Sequence, residues 1–265
     1  MVRRARSGRR PPRPRRYEPE LTVLFVHGWQ ADRSVWGGVI AALGPDVRAV
    51  DVDLRGSGEL RDIPGPFTVE RFAADLREIV ERLEDPGPVV VVGHSMGAMV
   101  AMRLAIDAPA LVHALVLVAP VPASGAGFSE KGAHYLRSTV GDREAARKWL
   151  ARTFHNEPEA EALERLCEAA AQTHPDAALE SFESWTNADF AEETRTIKAP
   201  ATVIAPEHDD PEMYERKVAA LLPNAKFVLL RESGHYAIME QPGAIAKEIR
   251  EFIFPSGRSF MGRSS

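Results

Sequence analysis

The residues best placed to do covalent chemistry stand in Gly93-His94-Ser95-Met96-Gly97, a serine with a glycine two positions to either side. Four valines at 89–92 precede them and the apolar run 98–106 follows, which places the serine at the corner between a buried strand and a buried helix. So sharp a corner forces a strained backbone on its central residue and small residues two positions away. The Ser95 hydroxyl would then project above the sheet at the positive end of the helix, near backbone N–H groups able to hold a developing oxyanion. That is the setting of a serine nucleophile.

A serine hydroxyl is a poor nucleophile at neutral pH and needs a base within hydrogen-bond reach and an acid to orient that base. Of the eight histidines, His235 is the candidate base. It lies in Glu232-Ser233-Gly234-His235, just past the last strand-like run, where a glycine loop returns to the sheet edge that carries Ser95. The orienting acid is expected in Pro206-Glu207-His208-Asp209-Asp210, after the preceding strand. Asp209 is the first choice and Asp210 the alternative. The one that does not orient the base is expected to cap the helix beginning near Pro211.

These loops need a sheet to converge on. Strand-like runs occur at 22–26, 47–52, 89–92, 113–119, 201–205 and 227–230, with helical periodicity over 34–43, 69–83, 98–106, 211–222 and 241–253. Thr68 is an N-cap candidate for the second of these helices. The alternation predicts an α/β fold, a mostly parallel sheet with helices on both faces. Residues 121–198 break it with helical patterns alone, at 143–154, 157–172 and 176–185, and read as an insertion. The core is therefore expected at 20–120 and 199–254, with a basic tail at 1–19 and a loose tail at 255–265.

Composition narrows the function. The 265 residues carry a net charge of −5, yet residues 1–16 hold eight arginines and no acid, so the body is more acidic than the total. An acidic body argues against nucleic acid as a partner, and the Arg/Pro/Gly/Ser tail reads as disordered. No apolar stretch approaches the ~20 residues that span a bilayer, and no apolar signal region follows the arginine pairs. No membrane partner and a cytoplasmic location are expected. Cys167 is the only cysteine and sits on a helical pattern, and His208 has neighbouring acids but no second histidine, so no metal site is expected.

The order Ser95, Asp209, His235, with His27-Gly28-Trp29 and Asp53-Leu54-Arg55-Gly56-Ser57-Gly58, resembles the α/β-hydrolase fold superfamily over roughly residues 20 to 254. The resemblance implies Ser95 as nucleophile, His235 as base and the acid after the family's seventh strand as orienter. It further implies an oxyanion hole made by the backbone N–H groups of Trp29 and Met96. Residues 121–198 match the helical cap inserted after the sixth strand, with His134, Tyr135, Trp149, His155 and Trp185 as candidates for its pocket wall. Pro206 replaces the glycine usual three residues before the acid, residues 1–20 offer no early antiparallel strands, and Gln30 replaces a proline common after His-Gly-x. Serine at the corner separates the chain from haloalkane dehalogenases and epoxide hydrolases, in which aspartate is expected there.

The resulting expectation is a cofactor-independent serine hydrolase acting on a small-molecule ester, thioester or lactone through an acyl-enzyme. An acyltransferase, C–C hydrolase or lyase using the same triad is one alternative, and a ligand receptor on the same fold is the other.

Overall fold

The computed structural model describes residues 21–253; the tails expected at 1–19 and 255–265 lie outside the described residues. Six strands form one sheet: β1 (Thr22–Val26), β2 (Arg48–Val52), β3 (Val89–His94), β4 (Val112–Val118), β5 (Ala201–Pro206) and β6 (Ala225–Leu230). Their order is β2-β1-β3-β4-β5-β6, and all neighbouring pairs are parallel.

The valine run explains why β3 is central. Val89 and Val91 enter one core with Leu24, Val26, Phe72 and Leu76 of α2 (Val69–Arg82) and Met99 of α3 (Met96–Asp107). Val90 and Val92 enter the opposite core with Val23, Phe25, Val39 of α1 (Gly37–Leu43) and Ile245 and Ile249 of α10 (Pro242–Ile253). A strand with period 2 that is apolar at every position can only be buried on both faces. The edge strands β2 and β6 are less buried and mix polar residues among the apolar ones.

Local chemistry sets the helix ends. Thr68 Oγ1 accepts the Arg71 N–H at 3.2 Å and caps α2, as the sequence predicts. The stretch expected as one helix at 34–43 divides into a 3-10 turn, Arg33–Trp36, and α1, because Asp32 caps the turn through the Ser34 N–H at 2.9 Å. Likewise the stretch 211–222 is α8 (Pro211–Lys217) and a 3-10 turn, Ala219–Leu221, since Val218 leaves the helical region at φ −123°.

Between β4 and β5 the chain forms α4 (Glu130–Arg137), α5 (Arg143–Ala151), α6 (Ala160–Gln172) and α7 (Pro175–Thr186), with no strand among the described residues there. The insertion follows the fourth described strand. It is fastened to the core by Trp29, whose indole N–H donates to the Ala178 carbonyl at 2.8 Å. The same ring packs on Trp149, Phe182 and Trp185 at centroid distances of 5.6, 5.2 and 6.1 Å.

From β1 the chain crosses to β2 on one side and then returns to β3 on the other, which opens a crevice at the carboxyl ends of β1 and β3. Ser95 stands in that crevice. Its backbone is at φ 55°, ψ −121°, a conformation L-residues rarely adopt. A Cβ on Gly93 would lie 2.5 Å from the Ala98 Cα, and one on Gly97 would fall on the carbonyl oxygens of Val26 and His27. Gly97→Ala is therefore expected to lower stability by about 3 kcal/mol. Gly243→Ala, in α10 with open space around it, should raise it by about 0.5 kcal/mol. Urea denaturation of the two variants beside wild type checks both signs.

Candidate active site

Three loops at the carboxyl ends of β3, β5 and β6 bring Ser95, Asp209 and His235 to one cavity of about 790 Å³. His235 Nδ1–H donates to Asp209 Oδ2 at 2.7 Å, which leaves Nε2 as the ring's proton acceptor. Asp210 faces away from this bond: its Oδ1 accepts the Met213 N–H at 3.0 Å and caps α8. The two neighbouring aspartates are thus divided between orienting His235 and starting a helix. Burial pushes the Asp209 carboxyl up, but the His235 charge and the hydrogen bonds from His235 and Tyr214 outweigh it and hold the group below its ordinary value. Tyr214, in α8, donates its hydroxyl to the same Oδ2.

The His235 loop is fixed on two sides. The His94 side chain, 1% exposed, bonds through Nε2 to the His235 carbonyl at 2.9 Å; since a carbonyl only accepts, Nε2 carries the proton. From the insertion, the Thr153 carbonyl accepts the His235 N–H at 2.7 Å. Glu240 accepts the Gly234 N–H at 2.7 Å through Oε2 and the His155 N–H at 2.9 Å through Oε1. Any side chain at Gly234 would meet the Thr153 carbonyl at 2.5 Å and the His155 nitrogen at 2.6 Å.

Two backbone donors lie beside Ser95. Met96 is the first residue of α3, so its N–H has no partner within the helix. Trp29 follows Gly28, on which a Cβ would stand 3.1 Å from the Ser95 Cβ. Gln30, next in that loop, has φ 52°, which a proline ring cannot adopt, and its buried amide donates to Thr139 Oγ1 at 2.9 Å. The departure from proline at this position thus comes with a different loop backbone.

Of the expected wall residues, Tyr135, Trp149 and Trp185 line the cavity. His134 and His155 do not. His134 is on the exposed side of α4, while its neighbours Tyr135 and Leu136 reach the cavity. His155 is turned onto His208, with rings 3.7 Å apart and 8° from parallel, and it is His208 that borders the cavity. The sequence reading missed Tyr214, His208, Phe128, Arg152 and Lys217, which also line it. Only Tyr214 carried a signal, as an aromatic one turn into a helix that begins beside the acid. Among the described residues no group of three or more His, Cys, Asp or Glu side chains could hold a metal ion, and no helix is long and apolar enough to cross a membrane.

Burial, and next the His235 charge, push His94 down from 6.5 to about 3. Burial also lowers His27, whose Nδ1–H donates to the Gly28 carbonyl at 2.8 Å while Nε2 accepts the Leu54 N–H at 2.9 Å. Both are neutral in the folded protein and take up protons near pH 6.5 when unfolded. The unfolded state therefore binds more protons below pH 6.5, and stability falls as pH drops from 6.5 toward 3, by about 1.4 kcal/mol per pH unit for His94. His94→Gln, which keeps an N–H donor without a basic nitrogen, should flatten that slope. Urea midpoints at pH 7 and 5 measure it.

The model of the alpha/beta hydrolase family matches residues 23–248. A pimeloyl-(acyl-carrier protein) methyl ester esterase from Nitrosomonas europaea is 40% identical over 104 residues, 39% of this chain and 38% of that protein. The protein of the same name from Vibrio cholerae is 25% identical over 245 residues, 87% of this chain and 93% of its own length. A bromoperoxidase from Bacillus anthracis shares the fold at a TM-score of 0.80, with 18% identity over 88% of this chain and 92% of that one. With a family match across nearly all of its described length, the chain belongs to the alpha/beta hydrolase family.

Proposed function

We propose that the protein is a serine hydrolase that cleaves a small-molecule carboxylic ester, thioester or lactone. The observation that carries this reading is the 2.7 Å Asp209–His235 hydrogen bond at the cavity that also holds the strained Ser95 corner. Ser95 Oγ attacks the carbonyl carbon while His235 Nε2 takes the hydroxyl proton. Asp209 stabilises the imidazolium and keeps its ring in the tautomer that presents Nε2. The N–H groups of Met96 and Trp29 hold the oxygen as it gains charge, each worth roughly 10²–10³ in rate. Collapse expels the alcohol, thiol or ring oxygen with the proton from His235. Water then attacks the acyl-enzyme, losing its proton to His235, and the acid leaves with Ser95 restored.

Residues 121–198 serve as a cap over the pocket in this reading. Its support is the cavity wall: Phe128, Tyr135, Trp149 and Trp185 from the insertion face Ser95 and His235 from the core. An aromatic roof over a polar floor suits a substrate with an apolar acyl or alcohol part. The esterase names of the relatives from Nitrosomonas europaea and Vibrio cholerae agree with ester cleavage.

Treatment with a fluorophosphonate is expected to add one group, at Ser95, and Ser95→Ala should abolish the adduct. The same substitution should lower p-nitrophenyl butyrate turnover by roughly 10⁵–10⁶. Intact-protein mass and initial rates on the same samples check this. Activity retained in purified Ser95→Ala would overturn the assignment, and an adduct without repeated turnover would favour the receptor reading.

A further inference from the structure

Asp209 Oδ2 receives two hydrogen bonds, from His235 Nδ1–H and from the Tyr214 hydroxyl. One carboxylate oxygen has two lone pairs, so both are engaged, and the two donors approach from different elements. His235 comes from the loop after β6 and Tyr214 from α8. The phenol is placed by the helix start: Asp210 caps α8, the Tyr214 N–H donates to the Asp210 carbonyl at 3.2 Å, and the ring is buried, 3% exposed, at the wall of the cavity. A tyrosine is not needed there for packing alone, since phenylalanine has the same ring. What the hydroxyl adds is a proton aimed at the acid.

We propose that Tyr214 is a positioning residue of the Ser95–His235–Asp209 triad: its hydroxyl fixes the rotation of the Asp209 carboxylate and draws off part of the charge that would otherwise bear on His235. This rests on the serine-hydrolase reading above. Two donors on one oxygen share its electron density, so the Asp209–His235 bond is weaker than it would be with His235 alone. The hydroxyl therefore tempers the hold of Asp209 on the His235 ring.

The phenol is suited to be a constant donor. Burial, and then the Asp209 charge, push Tyr214 well above its ordinary value, so it does not ionise in the range where a histidine base works. The other titratable and charged groups around this point leave the carboxylate to these two. His94 at the end of β3 bonds to the His235 carbonyl, Asp210 caps α8, and His208 stacks on His155. Arg152 and Lys217 line the cavity, and neither bonds to Asp209 among the described residues.

The test compares wild type, Tyr214→Phe, and a protein carrying 3-fluorotyrosine at position 214, a stronger donor of similar shape. Removing the hydroxyl should move the acid limb of the kcat/KM–pH profile for p-nitrophenyl butyrate upward by about half a pH unit. It should also lower kcat/KM at pH 7 by about fivefold. Fluorination should move the limb the other way. In proton NMR the low-field His235 Nδ1–H resonance should shift further downfield in Tyr214→Phe and upfield with fluorotyrosine. A limb and a resonance that stay in place, or that move the same way in both proteins, would overturn the proposal even if activity fell, because a packing role has no such sign. The resonance needs no turnover. Shifts of opposite sign in a protein without esterase activity would sustain Tyr214 and sink the hydrolase reading.

Discussion

Everything at the cavity depends on how closely α3 approaches the end of β1. The backbone of Gly97 touches the carbonyls of Val26 and His27, and the backbone of Gly93 touches the first turn of the same helix. That contact holds the β3–α3 corner tight enough to force Ser95 to φ 55°, and it sets the His27–Trp29 loop against the serine. The strain is local, while the support is spread over two cores: the valines of β3 are packed on both faces and cannot relax the corner. Gly28 extends the same logic, because its missing Cβ lets the loop after β1 lie against Ser95 and His94.

A second set of contacts makes the insertion part of the cavity wall. Trp29 belongs to the core loop but is roofed by Trp149, Phe182 and Trp185 and bonded to the Ala178 carbonyl. In the other direction, Thr153 reaches down to the His235 backbone, and Glu240 ties Gly234 to His155. The histidine loop is therefore gripped by a carbonyl from above, by His94 from below and by Asp209 from the side. Two of these contacts fix the backbone of His235 and the third fixes its ring, so the orientation of the side chain is shared among the insertion, β3 and the loop after β5.

The alternation of apolar runs with helical periodicity was enough to read six strands, the sites of the main helices and the break at 121–198, because two-sided burial leaves a plain pattern in a central parallel sheet. The corner serine was legible from its glycines, and the loops of Asp209 and His235 from their place after strands. Which aspartate would cap α8 was not, since both fit the helix start and only the loop path after Pro206 separates them. The contacts of His155 and Tyr214 were illegible for a different reason. Ring stacking on His208 and a hydroxyl bond to Asp209 join residues through the turn of a loop or helix, and no spacing rule carries that direction. Gln30 looked like a simple replacement for proline, although its positive φ makes it a change of backbone.

The sheet order also constrains how the chain assembles. β1, β2 and β3 lie within the first 94 residues and lead to the corner at Ser95 with comparatively local pairings. β5 pairs with β4 only after the whole insertion has been accommodated, with Leu115 opposite Ala201, and β6 adds to β5. Closing so long a loop is entropically costly and slow. Asp209 and His235 both lie beyond that closure, so they stand beside Ser95 only when β5 and β6 have joined the sheet. The cavity is thus assembled from both ends of the chain, and its geometry is complete only with the whole sheet.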